Sequence, residues 1–469
     1  MSTRTETPPA TFIDEGAVIT ALIAGGRADA GRVREIIAKA GEARGLELDE
    51  VAALTTISDP ELLGELFATA RAVKEDIYGK RLVLFAPLYV SNLCENDCLY
   101  CAFRVRNKEL KRRALTQDEI RREIEILVDQ GHKRVLLVAG ESYPKQSGFQ
   151  YVLDSVATIY DVHRGNGEVR RVNVNIAPLT LDEFRELKAT GIGTYQLFQE
   201  TYHRETYHKV HLGGRKKDYD WRVTAMDRAM EGGIDDVGIG VLFGLFDWRF
   251  EIIALLQHIC HLEELFGVGP HTISMPRLEP AIGSDIASQP PHPVSDLDFR
   301  KIVAITRLAV PYTGMILSTR EGPNLRRETF AMGVSQISAG SRTNPGGYTD
   351  DTVADMEQFQ LGDHRTLDEV IRDVAEMGYI PSFCTACYRL GRTGGDFMDL
   401  AKPGEIKHHC DPNALSTFLE YLEDYGSPGT RAVGDRLIAD TLAGMAERER
   451  TTSNRLIEEV RAGKRDCLV

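Results

Sequence analysis

Three cysteines within eight residues, Cys94, Cys98 and Cys101, constrain this chain more than any other feature. Their C-x3-C-x2-C spacing lets three thiols reach three corners of one metal centre. Thiolates are soft ligands that select iron–sulfur clusters, zinc or copper(I). A closed structural zinc or iron–sulfur site takes four protein ligands, and no fourth lies close in sequence. The spacing therefore suggests a cluster with one iron left open for a small molecule. A zinc knuckle completed by a distant residue is the alternative. The loop follows an apolar, strand-like run at 82–90 and precedes a basic stretch that reads as helical.

The loop resembles the cluster loop of the radical S-adenosylmethionine (SAM) enzymes. These also place an aromatic just before the third cysteine, as Tyr100 stands here. Composition excludes other classes. With 56 basic and 70 acidic residues, the net charge of −14 offers no field for nucleic acid or an anionic membrane. The polar start at 1–9 lacks the apolar core of a signal peptide, and no run approaches a membrane span. Eight cysteines in 469 residues are not a disulfide framework, and six of them fall in two metal-like clusters. A cytoplasmic location is expected.

Residues 12–80 read as helices. Ser58, Asp59, Pro60 and Glu61 suggest a capping box with a proline in the first turn, and Leu62, Leu66, Ala70, Val73 and Ile77 form an apolar stripe. From Arg81 onward strand-like and helix-like stretches alternate. Strands are expected at 82–91, 134–141, 171–178, 193–200, 235–243, 272–278, 314–320 and 334–341. Thr-x-x-Glu capping boxes at Thr116/Glu119, Thr180/Glu183 and Thr366/Glu369 open helices after several of them. Eight such units match a (β/α)8 TIM-type barrel; a doubly wound sheet is the alternative. The expected divisions are a helical N-terminal extension at 1–80, the barrel at 81–345 and a C-terminal region at 346–469. Residues 427–469 suggest two terminal helices.

A barrel of this type builds its active site from loops at the carboxyl ends of its strands. The polar candidates collect at these ends: Glu141 after Gly140, Asn173 and Asn175 on one face of the third strand, and Glu200 within 199–202. Gly238 and Gly240 thin the fifth strand; Arg320 and Ser338 close the seventh and eighth.

A second triad, Cys384, Cys387 and Cys410, has the spacing C-x2-C-x22-C. A helix near 367–377 should carry the chain back to the amino ends of the strands, which puts this triad at the bottom of the barrel. Strands of about eight residues would separate the two triads by on the order of 25 Å. His408 or His409 could complete a zinc site. Cys260, in an apolar helix, and Cys467, near a frayed terminus, are expected not to be ligands.

The segments 191–202, 225–241, 269–277 and 384–394 resemble the HydG family of radical SAM tyrosine lyases. The likeness covers roughly 50–440. The barrel half is also similar to 2-iminoacetate synthase, which lacks the C-terminal triad; Cys384, Cys387 and Cys410 therefore favour HydG. One segment, 341–348, reads closer to the synthase.

The resemblance implies two 4Fe–4S clusters. The first, on Cys94, Cys98 and Cys101, binds SAM and yields a 5′-deoxyadenosyl radical, which starts cleavage of tyrosine to p-cresol and dehydroglycine. The second, on Cys384, Cys387 and Cys410 with an extra iron, turns dehydroglycine into carbon monoxide and cyanide. Tyr100, Glu141, Asn175 and Glu200 would serve SAM. Arg320 would grip the tyrosine carboxylate with its planar fork, beside Ser338.

The family's extra iron is held partly by a histidine. His271, in the loop before the sixth strand, should lie at the bottom rim, with His261 as runner-up. His258, on the same helix as His261, could face core or solvent, and His208 and His211 belong at the top. The implied partners are L-tyrosine, SAM, a one-electron reductant such as ferredoxin or flavodoxin, and hydrogenase maturation proteins. Cleavage stopping at dehydroglycine, or a non-catalytic iron–sulfur scaffold, would be the competing functions.

Overall fold

The computed structural model describes residues 12–350 and 356–469. The polar start at 1–9 and part of the loop at 344–363 lie outside the described residues. Eight parallel strands close into a barrel: β1 (Arg81–Ser91), β2 (Arg134–Ala139), β3 (Arg171–Asn175), β4 (Tyr195–Gln196), β5 (Val237–Gly240), β6 (Thr272–Ser274), β7 (Gly314–Leu317) and β8 (Gln336–Ser338). Closure comes from β8 pairing with β1, Leu84 opposite Ile337. All eight expected strands are present, most of them shorter than the apolar runs that announced them.

The eleven residues of β1 show how the chain builds this wall. Alternate side chains of a strand face opposite ways. Leu82, Leu84, Ala86, Leu88 and Val90 point outward into the core shared with the helices and are fully buried. Arg81 and Val83 point inward to a cavity at the amino end, while Phe85, Pro87 and Tyr89 line a second cavity at the carboxyl end. One strand therefore touches both ends of the barrel. Gly238 and Gly240 are required on β5: a Cβ at Gly238 would lie 2.5 Å from Thr272 Oγ1, and one at Gly240 2.4 Å from the Ser274 carbonyl.

The helices start where capping chemistry places them. Thr116, Thr180 and Thr366 each form a reciprocal box with the glutamate three residues on. At the helix Pro60–Tyr78 the cap is Asp59, one residue later than the box read from Ser58, because the Asp59 carboxylate accepts from the Glu61 and Leu62 amides. The apolar stripe of that helix is buried.

The basic stretch after the first triad is not a helix. Residues 102–113 form an irregular strap whose carbonyls are collected by one side chain. Arg112 donates to the carbonyls of Asn92, Phe103, Arg104 and Asn107. Backbone acceptors that a helix would satisfy internally are satisfied by that guanidinium instead.

After the helix Leu367–Glu376, a ninth strand, β9 (Ile380–Ser382), pairs with the start of β1, Ile380 opposite Arg81. This brings Cys384 to the amino end of the barrel. The helix Lys407–Asp424 follows, and its fully buried Glu420 is bonded by Lys133 and Arg170 at the starts of β2 and β3. The helices Pro428–Gly444 and Glu447–Arg461 are those expected at 427–469. Cys467 is not on a frayed end: it is buried, and its carbonyl accepts from Ser416 Oγ at 2.8 Å.

Candidate active site and second cysteine cavity

At the carboxyl ends of the strands, Cys94, Cys98 and Cys101 line one cavity with Tyr100, Glu141, Asn175, Glu200, Arg320 and Ser338. These residues come from β1, β2, β3, β4, β7 and β8 or from the loops that follow them. The cluster loop is fixed by backbone bonds to the chain after β4: Asp97 N to Gly213 O, Leu99 N to Val210 O, and Leu212 N to Asp97 O. Gly140 is needed beside it, because a Cβ there would come within 2.2 Å of the Leu93 carbonyl.

The electrostatics of this cavity rest on two cations that sequence reasoning missed. Arg222 NH1 donates to Glu141 Oε1 at 2.8 Å, and Asn96 Nδ2 donates to Glu141 Oε2 at 2.8 Å. Lys216 Nζ donates to Glu200 Oε1 at 2.7 Å, with Arg222 NH2 3.6 Å from the same oxygen. Burial would raise the Glu141 carboxyl, but Arg222 and Lys216 outweigh it and hold the group below its usual range. Glu200 has a φ of 72°, an uncommon conformation for a non-glycine residue of the kind that concentrates at functional sites. The clue in the sequence was slight: Lys216 and Arg222 sit in a single 3-10 turn and a short helix with nothing to mark them as inward-facing.

Arg320 forms no ion pair among the described residues. Its guanidinium stacks on Phe359, 3.3 Å from the ring centroid, and NH1 reaches the Arg277 carbonyl at 3.4 Å. A half-buried planar cation thus faces the cavity, with most of its donors open among the described residues. Ser338 Oγ accepts from the Thr319 amide at 3.1 Å, and Asn175 Nδ2 donates to the Gln196 carbonyl at 3.0 Å. Asn173 does not reach the rim expected for it: it lies deeper in the barrel, where its Oδ1 accepts from Arg171 Nε and the Thr194 amide. It is two residues, or one inward repeat, below Asn175.

At the amino ends of the strands a second cavity is lined by Cys384, Cys387, Cys410 and His271, with Arg81, Arg134 and Arg171 around them. His271 is 8% exposed, its ring lies 4.6 Å from that of Phe397, and Nδ1 has no hydrogen bond. The other histidines are elsewhere. His261 bonds Asp227 and stacks on Phe12; His258 is buried against the Tyr202 hydroxyl. His408 pairs with Glu449, and His409 meets Arg392. Neither lines the cysteine cavity. His211 is at the top, against Tyr100, and Cys260 is exposed on the helix Trp248–Phe266.

Each triad presents three thiols to one cavity, and thiolates are soft ligands that select iron–sulfur clusters, zinc or copper(I). Among the described residues no three His, Cys, Asp or Glu side chains converge tightly enough to chelate one ion. Burial pushes Cys94 up to about 11 and raises Cys98, Cys101, Cys384 and Cys410. Thiolates buried this deeply need metal to persist.

Comparison with known proteins agrees with this geometry. Residues 88–256 match the radical SAM superfamily, and residues 274–380 match the biotin and thiamin synthesis associated domain. A crystal structure of HydG, a maturase of the [FeFe]-hydrogenase, is 50% identical, covering 98% of this chain and all of that one, with a TM-score of 0.95. HydG from Carboxydothermus hydrogenoformans is 41% identical over 94% of this chain and 97% of its own, with a TM-score of 0.83. The 2-iminoacetate synthase of Salmonella typhimurium is 32% identical over 355 residues, 75% of this chain and 90% of the synthase. The synthase match stops short of the full chain, whereas the first HydG match is nearly end to end. With its radical SAM half and its C-terminal region both matched in this way, the chain belongs to the HydG family of radical SAM lyases.

Proposed function

We propose that this enzyme cleaves L-tyrosine between Cα and Cβ to p-cresol and dehydroglycine. It then converts dehydroglycine to carbon monoxide and cyanide for assembly of the FeFe-hydrogenase active site. The observation that carries the second half is the cavity at the far end of the same barrel, where Cys384, Cys387 and Cys410 stand with His271. The first HydG match, a maturase by its description, supports the same reading.

In this reading Cys94, Cys98 and Cys101 hold a 4Fe–4S cluster that, when bound, supplies the electron for reductive cleavage of SAM. Tyr100 packs on the adenine. Asn175, Glu141 and Glu200, the last two poised by Arg222 and Lys216, position the remainder of SAM. Arg320 receives the tyrosine carboxylate as a fork, beside Ser338, and this places the substrate amine toward the cluster loop. Cys384, Cys387 and Cys410 hold the auxiliary cluster, with His271 on an additional iron; this centre supplies the metal that takes up the diatomic products. A one-electron reductant such as ferredoxin or flavodoxin provides the electron, and the other maturation proteins receive the product.

The test is one incubation. Anaerobically reconstituted, reduced protein with SAM and tyrosine should release 5′-deoxyadenosine, p-cresol, carbon monoxide and cyanide. p-Cresol without the last two would assign a lyase that stops at dehydroglycine. Absence of 5′-deoxyadenosine and p-cresol would leave an iron–sulfur scaffold.

A further inference from the structure

Glu251 is a buried acid that lines neither cavity. It stands in the first turn of the helix Trp248–Phe266 and is 1% exposed. Burial, joined by the acidic neighbours Asp247 and Glu15, pushes its carboxyl up to about 8, so it is largely uncharged at neutral pH. A buried, uncharged acid acts through its hydrogen bonds.

Both of its oxygens are spent on the chain just after β4. Thr201 Oγ1 donates to Oε1, and the Tyr202 amide donates to Oε2 at 2.8 Å. Thr201 and Tyr202 are fully buried and are fixed from other sides as well. The His203 amide donates to Thr201 Oγ1 at 3.3 Å, and the Tyr219 hydroxyl donates to the Tyr202 carbonyl at 2.8 Å. The Tyr202 hydroxyl meets His258 Nδ1 at 2.8 Å. Two residues further on, the Arg204 amide donates to Glu15 Oε1 at 2.7 Å, at the start of the N-terminal helix Glu15–Gly25.

The residue before this anchored pair is Glu200, whose φ of 72° lies in the left-handed region. A non-glycine residue is disfavoured there and persists only where the surrounding structure holds it. On the upstream side the strands hold it: the Gln199 amide donates to the Gly240 carbonyl at 3.1 Å, and the Leu242 amide to the Glu200 carbonyl at 2.9 Å. On the downstream side the next two residues are gripped by Glu251. With the turn so held, the Glu200 carboxylate accepts from Lys216 Nζ at 2.7 Å. The short helix Tyr219–Val223, which carries Arg222, hangs on the same Tyr202 carbonyl through Tyr219.

We propose that Glu251 is a positioning residue for Glu200: by bracketing Thr201 and Tyr202 it keeps the left-handed turn that presents the Glu200 carboxylate to SAM. This rests on the reading that Glu200 contacts SAM. Glu251 reaches no ligand itself; it acts through the two residues that follow Glu200. Side chains that touch a ligand keep their geometry only when a further layer of bonds holds them. A neutral amide can take the place of this acid, because Gln accepts from the Tyr202 amide and donates to Thr201 Oγ1. Leu fills similar space and makes neither bond.

SAM titration of the anaerobically reconstituted full-length protein tests this, read by 5′-deoxyadenosine release and by the change SAM causes in the EPR spectrum of the reduced cluster. Glu251→Leu should raise the SAM concentration for half-maximal release about tenfold. The rate at saturating SAM and the half-saturating tyrosine concentration should stay near those of the parent, because only ground-state binding of SAM is lost. Glu251→Gln should keep the parental values. If Glu251→Leu loses its native circular dichroism, Thr201→Val carries the test, since it removes the hydroxyl and keeps the shape. Because the effect passes through Glu200, Glu251→Leu added to Glu200→Gln should change SAM binding little further. Parental SAM titrations in the folded Leu and Val variants, a Gln variant as impaired as Leu, or SAM and tyrosine affinities falling together would overturn the bracket. Full additivity with Glu200→Gln would overturn it too. Unchanged SAM affinity in Glu200→Gln alone would overturn the Glu200 reading and the proposal with it. That failure is distinct from one in which Glu200→Gln weakens SAM binding and the bracket variants do not.

Discussion

The Tyr100 hydroxyl donates a hydrogen bond to Nε2 of His211, 2.8 Å away. The direction is set on the other side of the ring, where Nδ1 lies 2.8 Å from the Tyr207 carbonyl, which can only accept. Nδ1 therefore carries the proton and Nε2 accepts. Burial and the nearby Lys216 and Arg222 hold His211 neutral, well below its ordinary pKa. The aromatic of the cluster loop is thus tethered to the chain after β4.

Tyr100→Phe keeps the ring and leaves a buried acceptor unpaired. A loss of about 1–3 kcal/mol in stability is expected, with a several-fold rise in the SAM concentration needed for half-maximal 5′-deoxyadenosine release. Urea unfolding together with SAM titration checks it; a variant with both values unchanged would show that the tether holds nothing in place.

Arg222 bridges the two acidic residues of the SAM-side cavity, Glu141 and Glu200. Arg222→Met leaves Glu200 to Lys216, and Glu141 to Asn96 and a more distant Lys216. Breaking a buried pair by removing one partner costs about 3–5 kcal/mol, and the variant should bind SAM at least tenfold more weakly. Because Arg222 and Lys216 depress the Glu141 pKa, its contribution is present above the ordinary carboxylate range near pH 4 and is lost as pH falls through the lower folded value. The parent should therefore lose this contribution in acid, whereas the variant, left with Lys216 and Asn96, should already lack the larger part of it at pH 7. Equal stabilities at pH 7 would refute the bridge.

The two triads should behave as separable sites. Alanine at Cys94, Cys98 and Cys101 is expected to abolish SAM cleavage while iron remains at the other end. Alanine at Cys384 and Cys387 is expected to spare p-cresol and remove carbon monoxide. Iron analysis with product detection decides this, and p-cresol loss as deep in the second variant as in the first would sink the division of labour.

Acid should weaken the fold through histidines buried in neutral form. His132 has no hydrogen bond at either ring nitrogen, and burial pushes it down to about 3; His258 is also pushed to about 3. Between the ordinary value near 6.5 and these folded values, the unfolded chain binds protons that the native protein does not. Stability is therefore complete above about pH 6.5 and falls as pH drops, by about 1.4 kcal/mol per pH unit for each such group. His132→Leu should flatten the slope between pH 6.5 and 5.5 by about that amount. Parallel slopes in urea unfolding would rule it out.

Much of the fold was legible because it is written in local chemistry. Thr116, Thr180 and Thr366 announce helices through side chains that bond amides three residues away. Apolar runs mark the strands, since both faces of a parallel barrel strand are covered. The strap at 102–113 was misread because its order comes from Arg112 reaching carbonyls up to twenty residues away, not from a helical repeat. Asn173 was set at the rim because period two gives a face and not a depth. The place of Cys467 in the chain reads as a frayed terminus, although Ser416 and the helix around it hold the backbone there.

By itself the sequence determined the two cysteine triads, the barrel and the identity of the side chains at its ends, because spacing and periodicity are properties of neighbours along the chain. Tertiary structure alone decided which charges are paired. Arg222 and Lys216 reach Glu141 and Glu200 across the cavity. Pairing depends on what a closed barrel brings together from distant segments, and burial then sets how much an unpaired charge costs.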